Sequence, residues 1–224
     1  MILNAEIISK KYMRKSGEAN FFYAVRETSL ALTAGSITGV IGRSGSGKST
    51  LLNMMAGLLS PSAGKVTLDG TDLYALSDKE LSVLRNQNIG VIPQGQTGLD
   101  SLTALDNIKL PYALYHNDRQ IDDRADELLH AVGIAHLADA YPSELSGGEL
   151  RRLAIARALI MQPGIILADE PTGDLDDENT ATVLGLLRKA ADDGAAVLLV
   201  THDADARQYA DVLYRMDAGV LAEA

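Results

Sequence analysis

The sequence predicts an α/β fold in which a largely parallel sheet carries an N-terminal antiparallel sheet and an inserted helical segment. Three observations predict it. Apolar and polar residues alternate near the N-terminus, two short uniformly apolar runs lie at 164–168 and 195–200, and apolar residues recur at helical spacing between about 95 and 160. The helical stretch therefore interrupts a single α/β core.

The first third of the chain contains the predicted antiparallel strands and a glycine-rich turn. Alternation predicts three half-exposed strands, at residues 2–8, 23–34 and 65–69. A short apolar strand at 36–41 runs directly into the turn. Residues 48–59 have apolar side chains on one face, so we predict a helix there that Pro61 stops.

The rest of the chain is predicted to be helical first and then α/β again. Helical spacing predicts helices at 106–114, 121–132, 150–158 and 178–191. Buried strands are predicted at 165–168 and 195–200, and a closing hairpin around 217–219. We predict one domain over 1–224, with a catalytic α/β core at 1–94 and 160–224 and a helical subdomain at 95–159.

Composition excludes several classes of function. The 224 residues include 30 acidic and 20 basic side chains, a formal charge of -10, and the basic residues form no stripe that would bind nucleic acid. Cysteine is absent, which excludes disulfides and thiolate metal sites and fits the cytoplasm. No apolar run approaches the roughly 18 to 20 residues that span a bilayer, so we expect no direct membrane span.

A phosphate-binding loop follows the strand at 36–41. Its residues are Gly42, Arg43, Ser44, Gly45, Ser46, Gly47, Lys48 and Ser49, followed by Thr50. This G-x-x-x-x-G-K-[ST] spacing between a strand and a helix lets backbone N–H groups surround phosphate oxygens. Lys48 is suited to neutralise the β- and γ-phosphates, and the Ser49 hydroxyl to bind Mg²⁺. The loop predicts a nucleotide with Mg²⁺ and a P-loop NTPase core, but small-molecule kinases and GTPases share such a loop, so the rest of the chain must indicate whether the nucleotide is ATP.

Further motifs contain polar side chains suited to act on a nucleotide bound at that loop. The apolar strand at 165–168 ends in Asp169, suited to hold Mg²⁺ through water, and Glu170, suited to accept a proton from the attacking water. Another strand ends in Thr201 and His202, followed by Asp203. A second anion-binding helix start follows Leu145 in the helical segment; its residues are Ser146, Gly147, Gly148 and Glu149.

Taken in this order, the motifs closely resemble the nucleotide-binding subunits of ABC transporters over essentially all 224 positions. The resemblance implies that Gln94 links the nucleotide site to the helical lobe and that His202 contacts the γ-phosphate. It also implies that the helix start at 146–149 is the family signature and that the motif at 173–176 includes a nucleotide-site residue, Asp176. The predicted catalytic residues are Lys48, Glu170 and His202, and the predicted metal-binding residues are Ser49, Gln94 and Asp169.

The residue that stacks on adenine is left open by the sequence. Tyr12 matches the aromatic that serves this purpose in the family, while Phe22 and Tyr23 are alternatives because base stacking needs only an exposed ring.

More narrowly, residues 102–108 and an insertion around 16–20 resemble the branch for lipoprotein release, macrolide efflux, haem efflux and antimicrobial-peptide detoxification. This resemblance implies an ATPase homodimer on the cytoplasmic face, bound to separate transmembrane permease subunits, and favours export or extraction over import. Two features depart from the family pattern. Glu149 replaces the usual Gln, and 95–98 lacks the usual aromatic and Asn-Leu.

Two other functions are weighed against transport. One is an ABC-type ATPase of translation or chromosome machinery, which would bring a second cassette or a long coiled coil that the chain lacks. The other is a nucleotide-gated scaffold with little hydrolysis, against which the presence of Glu170 and His202 counts.

Overall fold

The structure, a computed structural model, describes residues 1–13, 21–95, 98–116, 118, 120–173, 175–202 and 205–224. The described strands are β1 Ile2–Met13, β2 Phe21–Thr33, β3 Ile37–Ile41, β4 Ala63–Leu68, β5 Thr71–Asp72, β6 Ile89–Ile92, β7 Ile165–Asp169, β8 Ala196–Thr201, β9 Val212–Asp217 and β10 Val220–Glu223. The described α-helices are α1 Lys48–Met55, α2 Asp78–Asn88, α3 Ala104–Ala113, α4 Asp122–Ala131, α5 Gly147–Leu159 and α6 Asp177–Asp192.

The antiparallel sheet has the strand order β2-β1-β4-β5. Its apolar residues Leu3, Ala5 and Ile8 are buried, whereas Ile7 is 61% exposed. The pairing of β1 with β2 shifts register between Ala5 and Ile8, and Ile7 has a left-handed φ of 49°. This bulge adds one residue to the strand and so returns Ile8, rather than Ile7, to the core face.

The second sheet has the order β10-β9-β3-β8-β7-β6 and is parallel except for the β9–β10 hairpin. Successive residues of β7 serve opposite faces: Ile165 and Leu167 pack with α1 and the antiparallel sheet, while Ile166 and Ala168 pack with the helical segment. Because β3, β7 and β8 are parallel, their carboxyl ends lie at one edge, where α/β proteins bind ligands.

The helical segment packs directly on the larger sheet. Helix α5 contacts α3, α4 and β6, and Leu129, Leu153 and Ile166 belong to one buried cluster. The predicted α/β fold with an inserted helical segment is therefore confirmed.

One predicted boundary needs correction, and some of the described elements were not predicted. Helix α1 ends at Met55 and not at residue 59, because Gly57 adopts a left-handed φ of 68° and the N–H of Leu58 turns back to the Asn53 carbonyl. Helix α2 and strand β6 were not predicted. Helix α2 buries none of its residues fully, so its apolar pattern is weak, yet Ser77 and Glu80 form a capping box that marks its start.

Asn107 is the polar centre of the helical segment and is fully buried. Its side chain accepts a hydrogen bond from the Leu99 N–H at 2.8 Å and donates to the carbonyls of Leu99, Leu102 and Thr103 at 3.2, 3.1 and 2.9 Å. The side chain thus satisfies part-buried backbone groups in the turn that enters α3.

We expect Asn107→Ala to lower the free energy of unfolding by roughly 2–4 kcal/mol, because several part-buried backbone groups lose their partner at once and a cavity replaces a fully buried side chain. Urea denaturation measures the change. The control is Asn4→Ala, since Asn4 is half-buried and donates to the exposed Glu6 carboxylate at 3.0 Å; its cost should stay below about 1 kcal/mol. Equal costs for the two variants would contradict this role for Asn107.

Candidate active site

The glycine-rich loop joins the end of β3 to the start of α1. Gly47, the residue before α1, has a φ of 111°, and a Cβ built there would lie 2.2 Å from the Ala24 carbonyl oxygen. Both the backbone conformation and the lack of space therefore require glycine. The helix that follows directs its first N–H groups into the loop, which is the geometry of an anion site.

Lys48 places a buried positive charge inside this loop. Its Nζ donates to the carbonyls of Gly42 at 2.8 Å and Arg43 at 3.1 Å, and its side chain is only 7% exposed. The ammonium also lies 3.8 Å from Glu170 Oε1. The loop carbonyls thus hold the cation in place.

Glu170 directly follows β7, and its side chain contacts residues that follow β3 and β8. Its φ of 49° is left-handed, and its N–H donates to the Val200 carbonyl at 2.8 Å. Its Oε2 accepts hydrogen bonds from the Thr201 hydroxyl at 3.1 Å and the His202 N–H at 3.2 Å, and lies 2.9 Å from His202 Nδ1. Strained backbone of this kind occurs at functional sites, so Glu170 is a candidate for chemistry.

Asp169 is buried beside this carboxylate, and its Oδ1 has no hydrogen-bond partner among the described residues. Burial raises the pKa of the Asp169 carboxyl above its ordinary value, and a hydrogen bond from Ser49 opposes that effect. An orphaned carboxylate oxygen close to a hydroxyl suits Mg²⁺, which prefers oxygen ligands. The residues present therefore fit a magnesium ion.

A groove of about 570 Å³ joins these groups to the aromatic residues of the antiparallel sheet. Its lining includes Tyr12, Phe22, Tyr23, Ser44, Gly45, Gly47, Lys48, Ser49, Thr50, Gln94, Glu170 and His202. Tyr12 and Phe22 lie with ring centroids 5.7 Å apart. All three candidate adenine-stacking residues border the groove, so the choice of Tyr12 stays a prediction.

The signature residues lie elsewhere on the chain. Ser146 is the N-cap of α5, and its hydroxyl and N–H both donate to the Glu149 carboxylate at 2.7 Å. These two hydrogen bonds lower the pKa of the Glu149 carboxyl. Neither 146–149 nor Asp176, the N-cap of α6, is among the described residues that line the groove.

Some predicted features fall on positions that the structure leaves out. The insertion around 16–20, the positions Gln96 and Thr97 within 95–98, Asp174 and Asp203 lie outside the described residues.

Two residues that support the site, Thr201 and Arg151, were not predicted from the sequence. Thr201 was noted only as part of its motif, yet its hydroxyl helps hold Glu170. Arg151 on α5 is 4% exposed and donates from Nη1 to the Pro93 carbonyl at 2.8 Å, next to Gln94. A charged residue among the apolar positions of α5 was the available signal for it.

Comparisons with known proteins agree with this geometry. The family described as ABC transporter matches residues 25–173. The chain is 44% identical to the methionine import ATP-binding protein MetN of Rhizobium meliloti over 88% of its own length, but it spans only 55% of that protein. It is 38% identical to the ABC transporter ATP-binding protein YtrE of Bacillus subtilis, covering 92% of this chain and 90% of that one.

A third relative is the lipoprotein-releasing system ATP-binding protein LolD of Shewanella denitrificans, 42% identical over 89% of this chain and 86% of that one. Two solved dimeric structures of the ATP-binding cassette MJ0796 match as well. The one bound to ADP and Pi has a TM-score of 0.91 at 33% identity, and the other has 0.88 at 34%; each comparison covers 99% of this chain and 98% of that one.

Proposed function

This chain belongs to the ABC transporter family, as an ATP-binding and ATP-hydrolysing subunit, and from that premise we propose that two copies drive a separate membrane permease in export or extraction. The observation that carries the proposal is the position of Glu170. Its carboxylate lies between the buried cation of Lys48 and the exposed ring of His202, beside the orphaned oxygen of Asp169. A base, a phosphate-binding cation and a metal site converge there, as hydrolysis of ATP requires.

We assign each role as follows. The catalytic residues are Lys48, Glu170 and His202. The metal-binding residues are Ser49, Gln94 and Asp169. The nucleotide-binding residues are Tyr12, residues 42–50, Gln94, residues 146–149 and Asp176. Bound Mg²⁺ would neutralise charge on the β- and γ-phosphates. Glu170 orients the attacking water and accepts its proton, and His202 contacts the γ-phosphate.

We further propose that the working unit is a head-to-tail homodimer. Ser146 presents an anion-binding helix start that does not border its own groove, so a second copy can use it. The dimeric state of both MJ0796 structures supports this proposal. The chain acts as one domain in which 95–159 forms the helical subdomain and 1–94 with 160–224 the catalytic core.

No helix in the described residues is long and apolar enough to cross a membrane. We propose that the permease holds the chain on the cytoplasmic face of the membrane. Export is supported by the similarity to LolD, the ATP-binding protein of a lipoprotein-releasing system, because the match covers 86% of LolD. The importer MetN is matched over only 55% of its length.

A flotation and turnover experiment tests the proposed function. The isolated chain should not bind protein-free anionic vesicles at physiological salt, because its charge of -10 opposes the surface potential. With permease subunits in the vesicles, it should float with them and its Mg²⁺-dependent ATP hydrolysis should change severalfold. Binding to bare vesicles would contradict permease-dependent recruitment. Unchanged turnover with the permease would favour the scaffold function.

A further inference from the structure

A second cavity, of about 460 Å³, lies beside the phosphate loop. It forms where β3, β8 and β9 end, at the same carboxyl edge as the nucleotide groove. Its lining residues are Ile41, Gly42, Arg43, His202, Arg207, Arg215, Met216 and Asp217. We call it the arginine pocket.

The arginine pocket is basic in an acidic chain. Among the described residues that line it, three are arginines, Arg43, Arg207 and Arg215, and one is acidic, Asp217, although the chain as a whole has a charge of -10. None of the three guanidinium groups has a hydrogen bond or an ion pair with the described part of the chain. Converging unpaired cations repel one another and attract an anionic partner.

The start of α6 has the complementary charge. The carboxylate of Asp176 has hydrogen-bond partners within α6: it accepts from the N–H and from the side-chain amide of Asn179, both at 2.8 Å. Asp177 and Glu178 are exposed, and their carboxylates make no ion pair or hydrogen bond within the described residues. Two free carboxylates therefore stand next to the motif at 173–176 that follows β7.

We propose that Asp177 and Glu178 of a second copy dock in the arginine pocket, and that the contact occurs twice in the dimer. The inference rests on the proposed homodimer and names a surface that holds it together. Their opposite charges make the two surfaces complementary, and in a twofold pair a contact between one copy's acidic segment and the other copy's pocket is repeated by symmetry. The pocket borders Gly42 and His202, so the contact closes over the same edge as the nucleotide groove.

Charge exchange tests the contact. All variants carry Glu170→Gln, so that bound ATP is retained, and dimer is measured by size exclusion with light scattering at saturating Mg²⁺ and ATP. One variant adds Arg207→Glu and Arg215→Glu, and the other adds Asp177→Arg and Glu178→Arg. Each alone should dimerise at least about 30-fold more weakly, because like charges then face each other.

Mixing the two variants gives the decisive result. In the mixed dimer each altered surface meets a partner of opposite charge, so dimer should return, and only as the mixed species. The control Lys65→Glu with Lys79→Glu makes the same change in net charge on exposed lysines elsewhere and should leave dimerisation unchanged. Recovery on mixing also shows that both variants are folded.

The outcomes separate the inference from the proposed function. If Glu170→Gln alone stays monomeric, the proposed dimer is wrong. If it dimerises but the charge variants dimerise equally well, or mixing restores nothing, the docking of Asp177 and Glu178 is wrong. Inorganic phosphate that binds the monomer and is lost with Arg207→Glu and Arg215→Glu, while dimerisation is unaffected, would instead make the pocket a small-anion site.

Discussion

Lys48→Ala is expected to reduce Mg²⁺-dependent ATP hydrolysis by roughly 10²- to 10³-fold. The lysine is held by two loop carbonyls and lies 3.8 Å from Glu170, so its loss removes the preorganised cation where phosphate charge develops. Release of inorganic phosphate from the purified variant measures the effect.

The matched control for this change is Lys65→Ala. Lys65 is about half exposed and pairs with Glu6 at 3.0 Å on the antiparallel sheet, away from the groove. Its replacement should leave turnover unchanged and cost little stability, since surface ion pairs contribute little. Full activity in Lys48→Ala would show that this loop does not hold the reacting phosphates.

Glu170→Gln should nearly stop hydrolysis while ATP still binds. The amide keeps the shape of the side chain, and its carbonyl oxygen can still accept from the Thr201 hydroxyl and the His202 N–H. It cannot accept the proton of the attacking water, so turnover should fall by roughly 10²- to 10⁴-fold. Because ATP then persists between two copies, the variant should accumulate as an ATP-bound dimer.

Size exclusion with light scattering detects that dimer, and Ser146→Arg in the same variant provides its control. The bulky side chain fills the helix start at α5, so the dimer should disappear while each monomer still binds a fluorescent ATP analogue. Persistence of the dimer in the double variant would mean that the signature residues do not complete the partner's site.

Local sequence was enough to predict the loop, the strand and the helix that flank it, and the helical insertion. A strand, a glycine loop and a helix form from neighbouring residues, so spacing alone reports them. Spacing did not predict α2, because the apolar pattern of that helix is weak. It also misplaced the end of α1, because the conformation of Gly57, and not Pro61, ends that helix.

The sequence alone therefore predicts that the chain binds a nucleotide, with Lys48, Asp169, Glu170 and His202 as candidate residues of the nucleotide site. The arrangement of these four side chains in space depends on the tertiary structure. Strand order is set by contacts between distant segments, which put β3 between β8 and β9 and β7 beside β8. That order brings Glu170 to Lys48 and His202 and gathers the three arginines of the arginine pocket, because parallel strands end at one edge whatever their separation along the chain.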